Sequence, residues 1–257
     1  MEIGGIPVRL LTREPVLLAI AEERYADYLQ PGATPCFELE LELLSQNALD
    51  PESDVEVAYR SGRWRLQRGD FLAEWDPRTR QGRVRQPASP YALDSVLRIL
   101  HTLALAERGG FLLHAASAII HGEAVLFAGR SGAGKTTISR LAPPSVTLLT
   151  DEISYVARTP QGHIAYGTPF SGELAAPGAN VCAPIATLYL LAQGPENLVQ
   201  EVEEREAVQA ILQNILFFAR EPKLVQKVFA AACEFVRSVA VRRLTFVPDA
   251  SVWEKVA

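Results

Sequence analysis

The run Gly129-Arg130-Ser131-Gly132-Ala133-Gly134-Lys135-Thr136, followed by Thr137, satisfies G-x-x-x-x-G-K-[ST], the phosphate-binding P-loop. Each residue type has a physical reason to be there. Glycines let the backbone turn until successive N–H groups point into one anion-sized hollow. A helix starting at the lysine aims its positive end at the same place. The Lys135 ammonium suits β- and γ-phosphates, and the Thr136 hydroxyl suits Mg²⁺. Lysine is rare in this chain: of 25 basic residues only four are lysines, at 135, 223, 227 and 255. The first 222 residues hold a single lysine, and it falls inside the motif.

A second pair of residues extends the chemistry. The apolar run Val146–Thr150 ends in Asp151-Glu152. Strand-end carboxylates beside a P-loop supply the oxygen ligands that a hard divalent cation prefers, and two adjacent acids can divide metal binding from proton acceptance. Consecutive strand residues point to opposite faces, so both acids enter one site only if the strand stops and the chain turns there. Asp151 follows Lys135 by only 16 residues. In ABC-type and AAA-type ATPases the strand-end acids come much later, and neither an L-S-G-G signature nor an N-K-x-D guanine-reading motif is present. Those families are disfavoured.

The surrounding pattern shows what must position these groups. Apolar runs at 111–120 and 123–128, joined by His121-Gly122, read as strands, the second leading directly into the glycine-rich loop. A short helix at about 135–141 is cut off by Pro143-Pro144. Further strands are expected at 153–157, 163–168, 184–192 and 240–246, and helices at 203–218 and 222–238. Upstream, a strand at 7–11 and a helical stripe over 15–29 precede the strict alternation Phe37–Leu43. Runs at 55–60, 63–68, 71–76 and 81–85 then form a β-meander. Ser89-Pro90 opens a helix over 91–107. The organisation read from this is a β-rich module over 1–88 and an α/β domain over 89–257.

Whole-chain properties narrow the class. The chain has 257 residues, 48% of them hydrophobic, a net charge of −5, and no apolar run of the roughly 18 residues needed to span a bilayer. No signal-peptide pattern opens it, and Cys36, Cys182 and Cys233 lie far apart, so a reducing cytoplasmic setting is expected, without membrane or nucleic-acid partners. Eight arginines in the meander (60, 63, 65, 68, 78, 80, 83, 85) share their face with Asp70, Glu74 and Asp76, and are read as the polar side of a half-buried sheet. His101 is read as structural, and His121 and His163 as solvated. Residues 166–180, with Glu173, are either a substrate-facing loop or a plain connection.

The run Leu113-His114, Gly122, Leu126–Thr136 and Leu148–Glu152 resembles the catalytic domain of HPr kinase/phosphorylase, and more closely HPr-kinase-like proteins lacking that enzyme's N-terminal half. The resemblance covers about residues 111–157 and implies an α/β fold related to ATP-dependent phosphoenolpyruvate carboxykinases. By it, Asp151 exchanges a proton with the acceptor hydroxyl, Glu152 joins Thr136 as a metal ligand where the family has Asp, and His114 stands near the phosphates. The family's glycine- and arginine-containing signature after the acids is absent, and Tyr166–Glu173 stands in its place, so HPr itself is not implied as acceptor. The expectation is a kinase using ATP and Mg²⁺ on a hydroxyl of an unidentified protein, peptide or metabolite, with homo-oligomerisation left open. Two alternatives stand beside it: a nucleotide-gated binding module, and an ATPase in which Glu152 polarises water.

Overall fold

A computed structural model describes residues 1–44, 53–174 and 176–256. The described residues are mixed α/β with two sheets and form two compact units. One comprises Met1–Ala104 with Phe217–Val225, the other Leu105–Leu216 with Gln226–Ala257. This division differs from a boundary near residue 88, because most of the helix that follows belongs with the N-terminal sheet. Among the described residues, no helix is long and apolar enough to cross a membrane.

In the first unit, β1 (Glu2–Ile3), β2 (Ile6–Thr12) and α1 (Pro15–Arg24) lead to β3 (Phe37–Leu43). The meander β4 (Glu56–Arg60), β5 (Arg63–Arg68), β6 (Phe71–Asp76) and β7 (Gln81–Gln86) follows, then α2 (Pro90–Glu107). The sheet order is β1-β2-β3-β7-β6-β5-β4, with β3 parallel to both its neighbours. Period-two alternation sets the faces: Trp64 and Leu66 point inward while Arg63 and Arg65 point outward. Outward arginines pair with acids, Arg83 with Glu40 and Glu42 at 3.2 Å each and Arg63 with Asp76 at 3.7 Å. Helix α1 stops five residues short of the expected end. Tyr25 leaves helical geometry to donate its hydroxyl to the buried Asp94 at 2.7 Å, beside the Arg24–Asp94 ion pair. His101 is fully buried on α2 and meets the Phe37 ring edge-on at 5.6 Å.

The second unit runs β8 (Phe111–Ile120), β9 (Glu123–Ala128), α3 (Lys135–Arg140), β10 (Thr147–Thr150), β11 (Ile153–Thr159) and β12 (Gly162–Tyr166). It continues with β13 (Cys182–Gln193), β14 (Leu198–Glu201), α4 (Glu204–Asn214), β15 (Ile215–Leu216), α5 (Pro222–Ser238), β16 (Ala240–Phe246) and α6 (Trp253–Val256). The strand pairings β8–β9, β9–β13, β13–β12, β12–β11 and β11–β8 close a circuit. Alternation along β8 and β9 feeds two cores. Leu113, Ala115, Leu126 and Ala128 join Ile211 and Phe235, whereas Ala116, Ala118, Val125 and Phe127 join Ile138, Leu244 and Trp253. Helix α4 ends at Asn214 rather than near 218, since Ile215 and Leu216 pair with Leu113 and Leu112 of β8. Two histidines differ in kind. His121 occupies a hairpin turn at φ 50°. His163, expected to be solvated, is instead buried, with its ring 5.0 Å from Phe235 and Nδ1 3.0 Å from Ser238 Oγ. Burial lowers its pKa, because desolvation penalises the imidazolium.

Candidate functional site

The glycine-rich loop leaves β9 at Ala128 and enters α3 at Lys135. Gly134 makes the turn at φ 108°, and a Cβ there would lie 2.5 Å from Cζ of the buried Phe246. Only glycine meets both requirements. The first bond of α3 runs from Ile138 N–H to the Gly134 carbonyl at 2.9 Å. The N–H groups of residues 135–137 therefore precede the helix's own hydrogen bonding. Helix α3 is only six residues long. Its position is fixed from below: Ile138 is fully buried, and Trp253 Nε1 donates to the Ile138 carbonyl at 3.2 Å. Two side chains brace the loop. Lys135 Nζ donates to the Gly129 carbonyl at 3.0 Å, and Gln193 Nε2 to the Gly132 carbonyl at 2.8 Å.

The two acids occupy a break between strands. β10 and β11 both pair antiparallel with β8, Thr150 opposite Ser117 and Ile153 opposite His114. They run as one interrupted line, with Asp151-Glu152 as the interruption. Thr150 Oγ1 accepts the N–H groups of Glu152 (3.2 Å) and Ile153 (3.1 Å), which closes the bend. The bend releases the acids from alternation, and both face one cavity.

Asp151 is 6% exposed, and its oxygens accept from the backbone of the following loop: Gly172 N–H to Oδ1 and Leu174 N–H to Oδ2, each at 2.9 Å. The same loop is tied to β10 through Thr168 N–H to the Leu149 carbonyl (3.2 Å) and Ala179 N–H to the Leu148 carbonyl (3.1 Å). At Gly172 a Cβ would sit 2.9 Å from both Asp151 Oδ2 and Glu152 Cβ, so a larger residue there would displace the acids. Ala175 in this loop lies outside the described residues.

These pieces enclose an open cavity of about 260 Å³, lined by His114, Ser131, Gly132, Gly134, Lys135, Thr136, Thr137, Asp151, Glu152, Gly172 and Glu173. The residues come from β8, the loop with α3, the acid bend, and the 172–174 segment. Of the residues expected in the site, Gly129, Arg130 and Ala133 are not in this wall and instead border a second cavity on the loop. Glu173 was left between two readings by its sequence, within a Gly- and Pro-containing loop. Its approach follows from the Asp151 hydrogen bonds, which no local pattern reveals. Burial lowers the Lys135 pKa, while the charges of Glu152 and Glu173 raise it and offset part of the desolvation. Among the described residues, no group of three or more His, Cys, Asp or Glu side chains could hold a metal ion by itself.

The fold and site thus define a mixed α/β protein whose second unit gathers a glycine-rich loop, a lysine and paired acids around one cavity. Residues 91–257 match the family model described as "SynChlorMet cassette protein ScmC", and the chain belongs to that family. Among solved structures it is similar to the Hpr(Ser) kinase/phosphatase from Coxiella burnetii, with 14% identity over 46% of this chain and 87% of that chain and a TM-score of 0.26. No curated protein matches the chain.

Proposed function

We propose that the chain is a P-loop phosphotransferase that moves the terminal phosphoryl group of Mg·ATP to a hydroxyl of a protein, peptide or small molecule. One observation carries the reading: Lys135, Thr136, Asp151, Glu152 and His114, from three separate stretches of sequence, line a single cavity. The chemistry suits oxygen-rich polyanions. The loop amides and the Lys135 ammonium bind phosphate oxygens, and His114 stands on the β8 side of the same space.

The residues present fit Mg²⁺, which keeps several waters and takes one or two carboxylates plus phosphate oxygens rather than an all-protein cage. Thr136 and Glu152 would hold it, with Glu173 in the same wall. When bound, the ion neutralises charge on the phosphate oxygens. Asp151 accepts the proton of the acceptor hydroxyl as its oxygen bonds to the terminal phosphorus, and the bond from that phosphorus to the ADP oxygen breaks. Each carboxylate oxygen has two acceptor positions, so the loop hydrogen bonds leave capacity for a substrate hydroxyl. Those same bonds fix the carboxylate's orientation.

The test is incubation of the purified chain with γ-labelled ATP, Mg²⁺ and cell lysate. Label on an acceptor, lost in Lys135→Ala, is the expected result. Release of free phosphate alone identifies an ATPase, and binding without either product identifies a nucleotide-gated module.

A further inference from the structure

The glycine-rich loop has two sides. Ser131 and Gly132 line the acid-bearing cavity and also a second cavity of about 410 Å³, so one thickness of backbone separates the two spaces. This volume lies within the range of about 300–1,000 Å³ common to small-molecule sites. Leu190 of β13 and Ala210 of α4 give it apolar surface, and Gln193, Gln213 and Asn214 bring carboxamides.

We propose that this second cavity receives the nucleoside end of the nucleotide whose phosphates occupy the first, an inference that rests on the phosphotransferase reading. A purine has two apolar faces and a hydrogen-bonding edge. Leu190 and Ala210 match the faces. An adenine edge needs both an acceptor and a donor opposite it, a combination primary amides provide. Asn214 Nδ2 already donates to the Ala210 carbonyl at 2.8 Å, which uses one of its two N–H groups and leaves the amide oxygen as an acceptor. Gln213 is exposed at the rim and supplies the donor. Gln193 holds the Gly132 carbonyl at 2.8 Å and so fixes the partition between phosphates and base. The ribose links the two spaces over that partition.

The experiment compares binding of ATP and of inorganic tripolyphosphate, both with Mg²⁺, to the full-length protein by calorimetry. Ala210→Trp fills the apolar part of the cavity. It is expected to weaken ATP by about tenfold or more, equivalent to about 1.4 kcal/mol, and to leave tripolyphosphate unchanged. Gln213→Ala is expected to weaken ATP several-fold, again with tripolyphosphate unchanged. If Ala210→Trp binds tripolyphosphate normally and keeps native ATP affinity, the nucleoside sits elsewhere and the proposal is overturned. If that variant loses both ligands, the decision passes to Gln213→Ala, where an unchanged ratio of the two affinities also overturns it. Failure of the unaltered protein to bind either ligand sinks the phosphotransferase reading, and the nucleoside site with it.

Discussion

Asp151 carries two duties that a single substitution separates only in part. Its carboxylate holds Gly172 and Leu174 through their N–H groups, and under the proposed mechanism it takes the acceptor proton. Asp151→Asn places an amide NH₂ against one of those donors. Transfer is expected to fall by about 10²-fold or more, as for loss of a general base, while Mg·ATP binding persists. Faster proteolysis in the 172–174 segment reports the loosened loop. Glu152→Gln should act on affinity instead. Under the proposed mechanism phosphate binding needs the Lys135 ammonium, so affinity is expected to drop as pH rises through the Lys135 pKa, which burial lowers from its ordinary value. Removing the Glu152 charge lowers that pKa further, so the alkaline limb of binding moves to lower pH while Mg²⁺ dependence weakens. Calorimetry across pH reads both effects. An unmoved limb, or a larger binding defect in Asp151→Asn, reverses the assignment of the two acids.

Between residues and domains, the site depends on how elements stop. β9 ends in a loop that only Gly134 can close under Phe246, and β10 ends at a threonine that caps its own bend. Gly134→Ala combines a backbone near φ 108° with a Cβ 2.5 Å from a buried ring. Strain of about 1–3 kcal/mol is expected. That cost lowers the melting temperature by a few degrees and abolishes nucleotide binding, both measurable by thermal unfolding with and without ATP. Retained ligand-induced stabilisation would show that the loop tolerates a different turn. The local stops were legible. The β10 run followed by two acids, the Pro143-Pro144 end of α3 and the glycine spacing are nearest-neighbour features. The end of α4 was not, because it is decided by pairing of Ile215 with Leu113, about a hundred residues away in sequence.

At the scale of the molecule, the chain passes between its two units three times, at 104/105, 216/217 and 225/226. Removing residues 1–88 therefore does not release an intact second part. It strips α2 of Arg24, Tyr25 and Phe37, which engage Asp94 and His101. Leu93, Val96, Leu97, Leu100 and Leu103 of the same helix are buried in the whole chain. At about 1.5–3 kcal/mol per large apolar side chain, exposing all five would cost on the order of 10 kcal/mol. A domain's entire stability is about 5–15 kcal/mol. A chain of residues 89–257 is expected to be insoluble or to unfold without a cooperative transition. A soluble fragment that unfolds cooperatively and binds ATP would instead place the boundary at Ser89.

Sequence by itself determined whatever depends on spacing within a few residues. The glycine-rich loop, the strict alternation of β3, the meander and the acid pair belong here, since steric limits and side-chain periodicity act locally. Tertiary structure alone decided which of these meet. The closed circuit of pairings from β8 through β13 and back brings His114, Lys135 and the acids to one cavity. The hydrogen bonds of Asp151 bring Glu173 to the same wall. His163 shows the limit in the other direction: its neighbours in sequence are a turn, yet packing of α5 buries it against Phe235. Contacts of this kind are set by loop closure and burial across long sequence separations, where no residue's own preference reveals its partner.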